Sequence, residues 1–338
     1  MTICDPALAA SARQPPAPGT AAARGAWEDA QTLDDAARSR RVALVSFHTS
    51  PLALPGVGDA GGMNVYLSWV SRALAEAGWE VDVYTRATTP EQAARGCEPI
   101  GGATLRYLRA GPAEPLEKSA LAPLAGAFAA AMAAGPRADV VHSHYWLSGL
   151  AGAAVARGWG ATHVQSLHTV AAMKNRDLAP GDTPEGAERL AGERRLALAA
   201  EAVVTVSEAE RDAIVRAYGV DRSRLRVIQP GVDGTVFHPG PGPAPESLPP
   251  ALRRPAGYLL MAGRVQPIKG QDLAIRALAG LPAEGRPALL VTGAPGQGHL
   301  EYAAGLRVLA RRLGVEGDVV FLGPRPAPRL AELIRGAR

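Results

Sequence analysis

Three segments of this sequence carry residues whose types and spacing could do chemistry. In Gly263-Arg264-Val-Gln-Pro267-Ile-Lys269-Gly270, two cations five residues apart sit in a Pro/Gly loop. An arginine fork beside a lysine point charge suits a pyrophosphate, and the pair could stabilise the charge on a departing nucleoside diphosphate where a metal ion otherwise would. The alternative is a solvated basic loop. In the stretch from Gly58 to Asn64, Gly61 and Gly62 open a helix and would let a phosphate or sugar approach the backbone; the alternative is a flexible turn. In the stretch from His142 to Gly149, His142 and His144 lie two apart and so face one side of an extended chain. That spacing permits a metal pair, yet no acid or thiol stands at ligand spacing nearby. Buried, hydrogen-bonded histidines and a sugar-lining polar loop remain the competing readings.

Gly56, Gly58 and Gly61 also spell the letters of the dinucleotide fingerprint, which would make the chain a nicotinamide or flavin oxidoreductase. The context argues otherwise. Pro51 and Pro55 place a loop between strand and glycines, and the second strand ends in Tyr84-Thr85-Arg86 with no acid for a ribose.

The elements that must position these segments alternate between strand and helix. Arg41 to Phe47 reads as a buried parallel strand. Met63, Tyr66, Leu67, Val70, Leu74 and Ala77 fall on one helical face, and Gly78 stands where a C-cap glycine would end the helix. Further strands are expected at residues 79–85, 139–144, 163–167, 202–206 and 225–228, and Ser207 with Glu210 forms a capping-box pattern. After a Pro/Gly-rich stretch the alternation restarts with strands at 258–262, 288–292 and 319–322 and helices at 272–278, 302–313 and 329–335. The expected fold is α/β, with two facing Rossmann-like doubly wound domains. The expected boundaries are a disordered extension at 1–38, a first domain at 39–238, a linker at 239–255 and a partial second domain at 256–338.

Composition narrows the function. With 338 residues and a net charge of +4 spread among interspersed acids and bases, the chain shows no nucleic-acid footprint, and the slight positive excess suits an anionic small substrate. No apolar run is long enough to span a bilayer, and residues 1–38 lack the apolar core of a signal peptide, so no membrane partner and a cytoplasmic, reducing location are expected. Cys4 and Cys97 leave no disulfide framework and no cysteine-held metal site.

From about Arg41 onward the chain resembles the family-four retaining glycosyltransferases of the two-Rossmann-domain type, a resemblance that implies the GT-B type of fold with its second domain truncated. Within them it is most similar to the mycothiol-pathway subgroup, which transfers N-acetylglucosamine to inositol phosphate. The resemblance is carried by the stretches His48 to Leu52, Gly58 to Tyr66, His142 to Gly149, Leu167-His168-Thr169 with Lys174-Asn175, Gly181 to Glu185, Pro230 to Asp233, and Gly263 to Lys269. It implies that Gly61 and Gly62 meet the donor, that Arg264 and Lys269 hold the donor pyrophosphate, and that Arg325 is a donor-side arginine. His168 would line the reacting sugar, while the departing phosphate itself accepts the acceptor's proton, with no metal and no cofactor. Asn64 would contact the acceptor, and Lys118, Tyr145, Thr169 and Arg189 would bind the acceptor phosphate; two cations with two hydroxyls suit a phosphomonoester. The implied partners are a UDP-sugar donor and a phosphorylated cyclitol acceptor. Family members are often dimers, which makes a homodimer the implied assembly, although no self-complementary face is legible.

The family pattern continues, beyond the last residue of this sequence, into two acidic residues eight apart that serve the donor. Their absence leaves open a noncatalytic sugar-phosphate-binding remnant. A transferase of a natural-product pathway, acting on an aminocyclitol or thiol acceptor, is the other reading.

Overall fold

The short β-rich runs become the strands of two sheets in a computed structural model that describes residues 40–56, 60–296 and 298–338. The extension expected at 1–38 lies outside the described residues. The first sheet contains β1 (Arg41–Val45), β2 (Glu80–Arg86), β3 (Cys97–Ile100), β4 (Ala103–Leu108), β5 (Val140–His144), β6 (Thr162–Ser166), β7 (Ala202–Thr205) and β8 (Leu225–Val227), in the spatial order β3-β4-β2-β1-β5-β6-β7-β8. Every pairing is parallel except β3 with β4. Order reverses at β1, whose carboxyl end faces a crevice between β2 and β5, the place where open α/β sheets bind ligands. The second sheet, β9 (Tyr258–Ala262), β10 (Ala288–Thr292) and β11 (Val319–Phe321), is parallel throughout.

Ten α-helices among the described residues connect and cover these strands. They are α1 (Gly62–Glu76), α2 (Pro90–Arg95), α3 (Ala125–Ala133), α4 (Trp146–Trp159), α5 (Ala171–Arg176), α6 (Ala187–Ala199), α7 (Glu208–Tyr218), α8 (Gln271–Ala279), α9 (Leu300–Arg312) and α10 (Ala327–Gly336). The apolar stripe of α1 buries Leu67 against Val42, Leu44, Val83 and Leu105, while Tyr66 from the same stripe turns into the cleft described below. The cap of α7 is reciprocal. Ser207 Oγ accepts from the Glu210 N–H at 3.2 Å, and Glu210 Oε2 accepts from the Val206 N–H at 2.7 Å.

Two features differ from the sequence reading. The β3–β4 hairpin was not legible: β3 is four residues long and holds Pro99, and a Gly101-Gly102 turn joins it directly to β4, although β4 itself buries every second residue. The segment expected as a linker is not a bare tether: Leu248 and Leu252 pack with Tyr258, Leu290 and Leu333 in the core beneath the second sheet. Cys4 lies outside the described residues, and with it the expectation of no disulfide framework. No helix among the described residues is long and apolar enough to cross a membrane.

Candidate active site

A cleft of about 930 Å³ lies between the two sheets, walled by the ends of β1, β5 and β6 on one side and by the loop after β9 on the other. The walls touch at one edge, where the Ala294 N–H donates to the Gly56 carbonyl at 3.0 Å.

The floor is built from strand ends. β1 continues into His48, a half-buried residue whose ring lies 4.6 Å from that of Tyr145 and whose buried Nδ1 finds no partner among the described residues. Burial, and then the neighbouring Lys118, His168, Arg189 and Arg264, hold this imidazole well below its usual pKa. β5 ends in His142 and His144, and the loop after β6 carries His168. His144 Nδ1 lies 2.9 Å from His168 Nε2, and His142 Nε2 lies 2.9 Å from Ser166 Oγ. The histidines two apart are therefore hydrogen-bonded groups, His144 buried and His142 half-buried, and no three metal-ligating side chains cluster among the described residues. Burial pushes His142 down to about 3 and His168 down to about 4, so both rings are neutral at pH 7. His168 and Tyr145 are the described non-glycine residues with positive φ, at 60° and 76°. Such conformations persist where the surrounding structure enforces them, and here both residues border the cleft.

The side wall gathers cations and hydroxyls around Tyr145. The Arg189 guanidinium lies 4.8 Å and the Lys118 ammonium 5.7 Å from the centre of its ring. Arg189, on α6, donates to Thr169 Oγ1 at 2.8 Å and pairs with Glu185 at 2.9 Å and Glu193 at 2.7 Å. Glu185 in turn receives Lys174 at 3.0 Å, so one carboxylate bridges two cations at the cleft edge. Burial raises the Glu185 pKa, but Arg189 and Lys174 more than offset it and hold the carboxyl below its usual range.

The facing walls bring the two glycine loops together. A Cβ on Gly61 would stand 3.7 Å from Arg264 Nε, whereas one on Gly62 would meet nothing within 4 Å, leaving open space above the N-terminus of α1. Helix N-termini of this kind favour anions. The loop bearing Arg264 is held by Gln271, which is buried and donates to the Arg264 carbonyl at 2.9 Å. It also depends on Gly293, whose φ is 132° and whose Cβ, if present, would fall 1.9 Å from the Gly263 carbonyl oxygen. Lys269, at the end of the turn Pro267–Lys269, lines the same cleft.

Nine of the side chains and glycines singled out from sequence thus share this cleft: Gly61, Gly62 and His168 at its base, Lys118, Tyr145, Thr169 and Arg189 on the first wall, Arg264 and Lys269 on the second. Two do not line it. Asn64 is fully buried, accepting from the Gly61 N–H at 2.9 Å and donating to Thr49 Oγ1 at 2.7 Å and the Ser50 carbonyl at 2.6 Å. It therefore braces the loops that shape the cleft. Arg325 turns back onto the Pro324 carbonyl, 2.8 Å away. Sequence reasoning gave no site role to His48, Tyr66, Glu193 or Gln271, although His48 and Tyr66 stand in stretches that carry the family resemblance. Glu193 left a signal of its own, as the i+4 partner of Arg189 on a helix.

The comparisons with known proteins agree with one another. Residues 61–231 match the glycosyl transferase 4-like domain. The chain is 40% identical over 321 residues to the D-inositol 3-phosphate glycosyltransferase of Acidothermus cellulolyticus, covering 88% of this chain and 68% of that one. It is 42% identical over 313 residues to the protein of the same name from Stackebrandtia nassauensis, covering 88% and 69%. Among solved structures, sucrose-phosphate synthase from Thermosynechococcus elongatus superposes with a TM-score of 0.75 at 26% identity, over 88% of this chain and 74% of that one.

Proposed function

Because the chain belongs to the glycosyl transferase 4-like family and is a glycosyltransferase with a GT-B type fold, we propose that it moves a sugar from a UDP-sugar to inositol phosphate with retention at the anomeric carbon. The sugar in this reading is N-acetylglucosamine. The observation that carries the reading is the convergence of Lys118, Tyr145, Thr169 and Arg189 on one wall of the cleft, opposite Arg264 and Lys269. Two cations and two hydroxyls around one aromatic ring provide charge and directional donors for a phosphomonoester, and the name shared by the relatives supplies an acceptor that carries one.

The chemistry proposed for this geometry needs no protein nucleophile. The bond between the anomeric carbon and the donor's β-phosphate oxygen breaks while Arg264 and Lys269 stabilise the charge growing on the diphosphate. The acceptor hydroxyl attacks on the same face, and its proton passes to the departing phosphate oxygen. His168, neutral at pH 7, serves as a hydrogen-bonding group beside the sugar rather than as a general acid. The phosphate site fixes the acceptor hydroxyl against the anomeric carbon, so positioning supplies part of the rate.

The test is incubation of the purified chain with UDP-N-acetylglucosamine and inositol phosphate, with product and UDP followed by mass spectrometry. Multiple turnovers with a retained anomeric configuration by NMR are expected. Absence of turnover while inositol phosphate still binds would refute the catalytic reading. Lys118→Ala should remove use of the phosphorylated acceptor while leaving donor binding unchanged.

A further inference from the structure

We propose that His144 is a positioning residue that fixes the ring of His168 in the tautomer with its proton on Nδ1, so that a hydrogen-bond donor faces the transferred sugar. The inference rests on the proposed function for the identity of the sugar, but the tautomer itself follows from hydrogen-bond accounting.

Two neutral imidazoles joined through His144 Nδ1 and His168 Nε2 must have one N–H donating and one bare nitrogen accepting across their 2.9 Å separation. The other nitrogen of His144 decides which. His144 is completely buried, and its Nε2 has no partner among the described residues. If the His144 proton sat on Nε2, a buried N–H would be orphaned; if it sits on Nδ1, only a lone pair goes unmatched. Orphaned buried N–H groups are the rarer and costlier case. His144 therefore donates from Nδ1, His168 accepts at Nε2, and the remaining proton of His168 stands on its Nδ1.

The cleft receives that proton. His168 lines the cleft and is only partly buried, and its Nδ1 is neither hydrogen-bonded nor among the buried unpartnered atoms, so it opens onto the cavity. The arrangement is held from several sides. The Tyr66 ring meets His168 edge-on at 5.3 Å, the His142 ring packs 4.1 Å from that of His144, and the backbone of His168 is held at a φ of 60°. Because burial keeps His142, His144 and His168 uncharged near neutrality, the tautomer is a stable property of the folded chain and not one of several titration states. In the reaction, the Nδ1–H would donate to a hydroxyl oxygen of the sugar in transit, and His144 would act only through His168.

The test has a spectroscopic arm and a kinetic arm. Long-range proton–nitrogen correlation on the chain with ¹⁵N-labelled histidine rings, assigned by loss of signals in His168→Asn, should show Nδ1 of His168 protonated and Nε2 bare. This arm uses the unmodified protein and needs no turnover, so it is independent of the functional reading. Protonation of His168 on Nε2 would overturn the assignment. In the kinetic arm, His144→Phe fills the space without a donor, and His144→Asn retains an N–H near the position of Nδ1. The Phe variant should lower kcat by roughly five- to tenfold, the scale of one ordinary hydrogen bond, with the acceptor KM unchanged, and the Asn variant should recover most of the loss. A Phe variant with wild-type kcat would refute the positioning role. A chain with the expected tautomer and no turnover would instead refute the functional reading alone.

Discussion

The densest charge network in the first wall predicts that Arg189→Ala damages folding as well as binding. Glu193 is fully buried, and Arg189 Nε is the cation that neutralises it, at 2.7 Å. After truncation Glu193 keeps the Ala171 N–H at 2.9 Å and the Tyr218 hydroxyl at 2.6 Å, but no counter-charge replaces the guanidinium. Removing one partner of a buried pair costs about 3–5 kcal/mol, because the surviving charge is left in a low-dielectric interior. For a unit of some 200 residues each kcal/mol moves Tm by about 2–4 °C, so a drop of roughly 6–20 °C is expected by calorimetry. Adding Glu193→Gln to Arg189→Ala removes the stranded charge and should return a substantial part of the loss, a coupling measurable as a double-mutant cycle. Lys118→Ala offers the control. That side chain is partly exposed, where charged contacts are worth about 0–1 kcal/mol each, so its Tm should fall by less than that of Arg189→Ala. An Arg189→Ala protein melting within 2 °C of wild type would refute the buried-charge argument.

Other outcomes follow from the second wall and from the histidines. Gly293→Ala places a Cβ 1.9 Å from the Gly263 carbonyl oxygen at a φ of 132°, so it should cost about 2–5 kcal/mol and displace the Arg264 loop. UDP binding by titration calorimetry should weaken at least tenfold, and an unchanged Kd would show that the loop does not hold the diphosphate. Acid stability should follow the neutral histidines. Burial pushes His142 down to about 3 and His163 and His168 down to about 4, against an unfolded value near 6.5. Between pH 6.5 and 4 the unfolded chain binds more protons, so stability is fully present above pH 6.5 and is lost as pH falls, by up to about 1.4 kcal/mol per pH unit for each such ring. Denaturant midpoints that stay flat from pH 7 to 5 would contradict this.

Much of the fold was legible because its elements are local. The runs at 258–262 and 288–292 match β9 and β10, and the glycine after the stripe of α1 falls just past its end, since strand propensity and capping act within a few residues. The hairpin of β3 and β4 was not legible, because β4 gains its stability from pairing with β2 and β3 from pairing with β4, contacts that lie outside either short segment. The core role of Leu248 and Leu252 escaped notice for a related reason. In a Pro-rich stretch, two leucines have no periodicity until Leu333 arrives from α10 to cover them.

The sequence by itself determined the chemical inventory of this protein: an arginine and a lysine in one loop, a glycine pair before a helix, and histidines two apart at a strand end. Only the tertiary structure decided their use. It turned Asn64 into a brace, set the carboxylates of Glu185 and Glu193 against Arg189, and joined His144 to His168 across 24 positions of sequence. The physical reason is that hydrogen-bond direction, burial and charge compensation belong to pairs of groups distant in the chain. No single segment carries that information until the sheets bring the partners within about 3 Å.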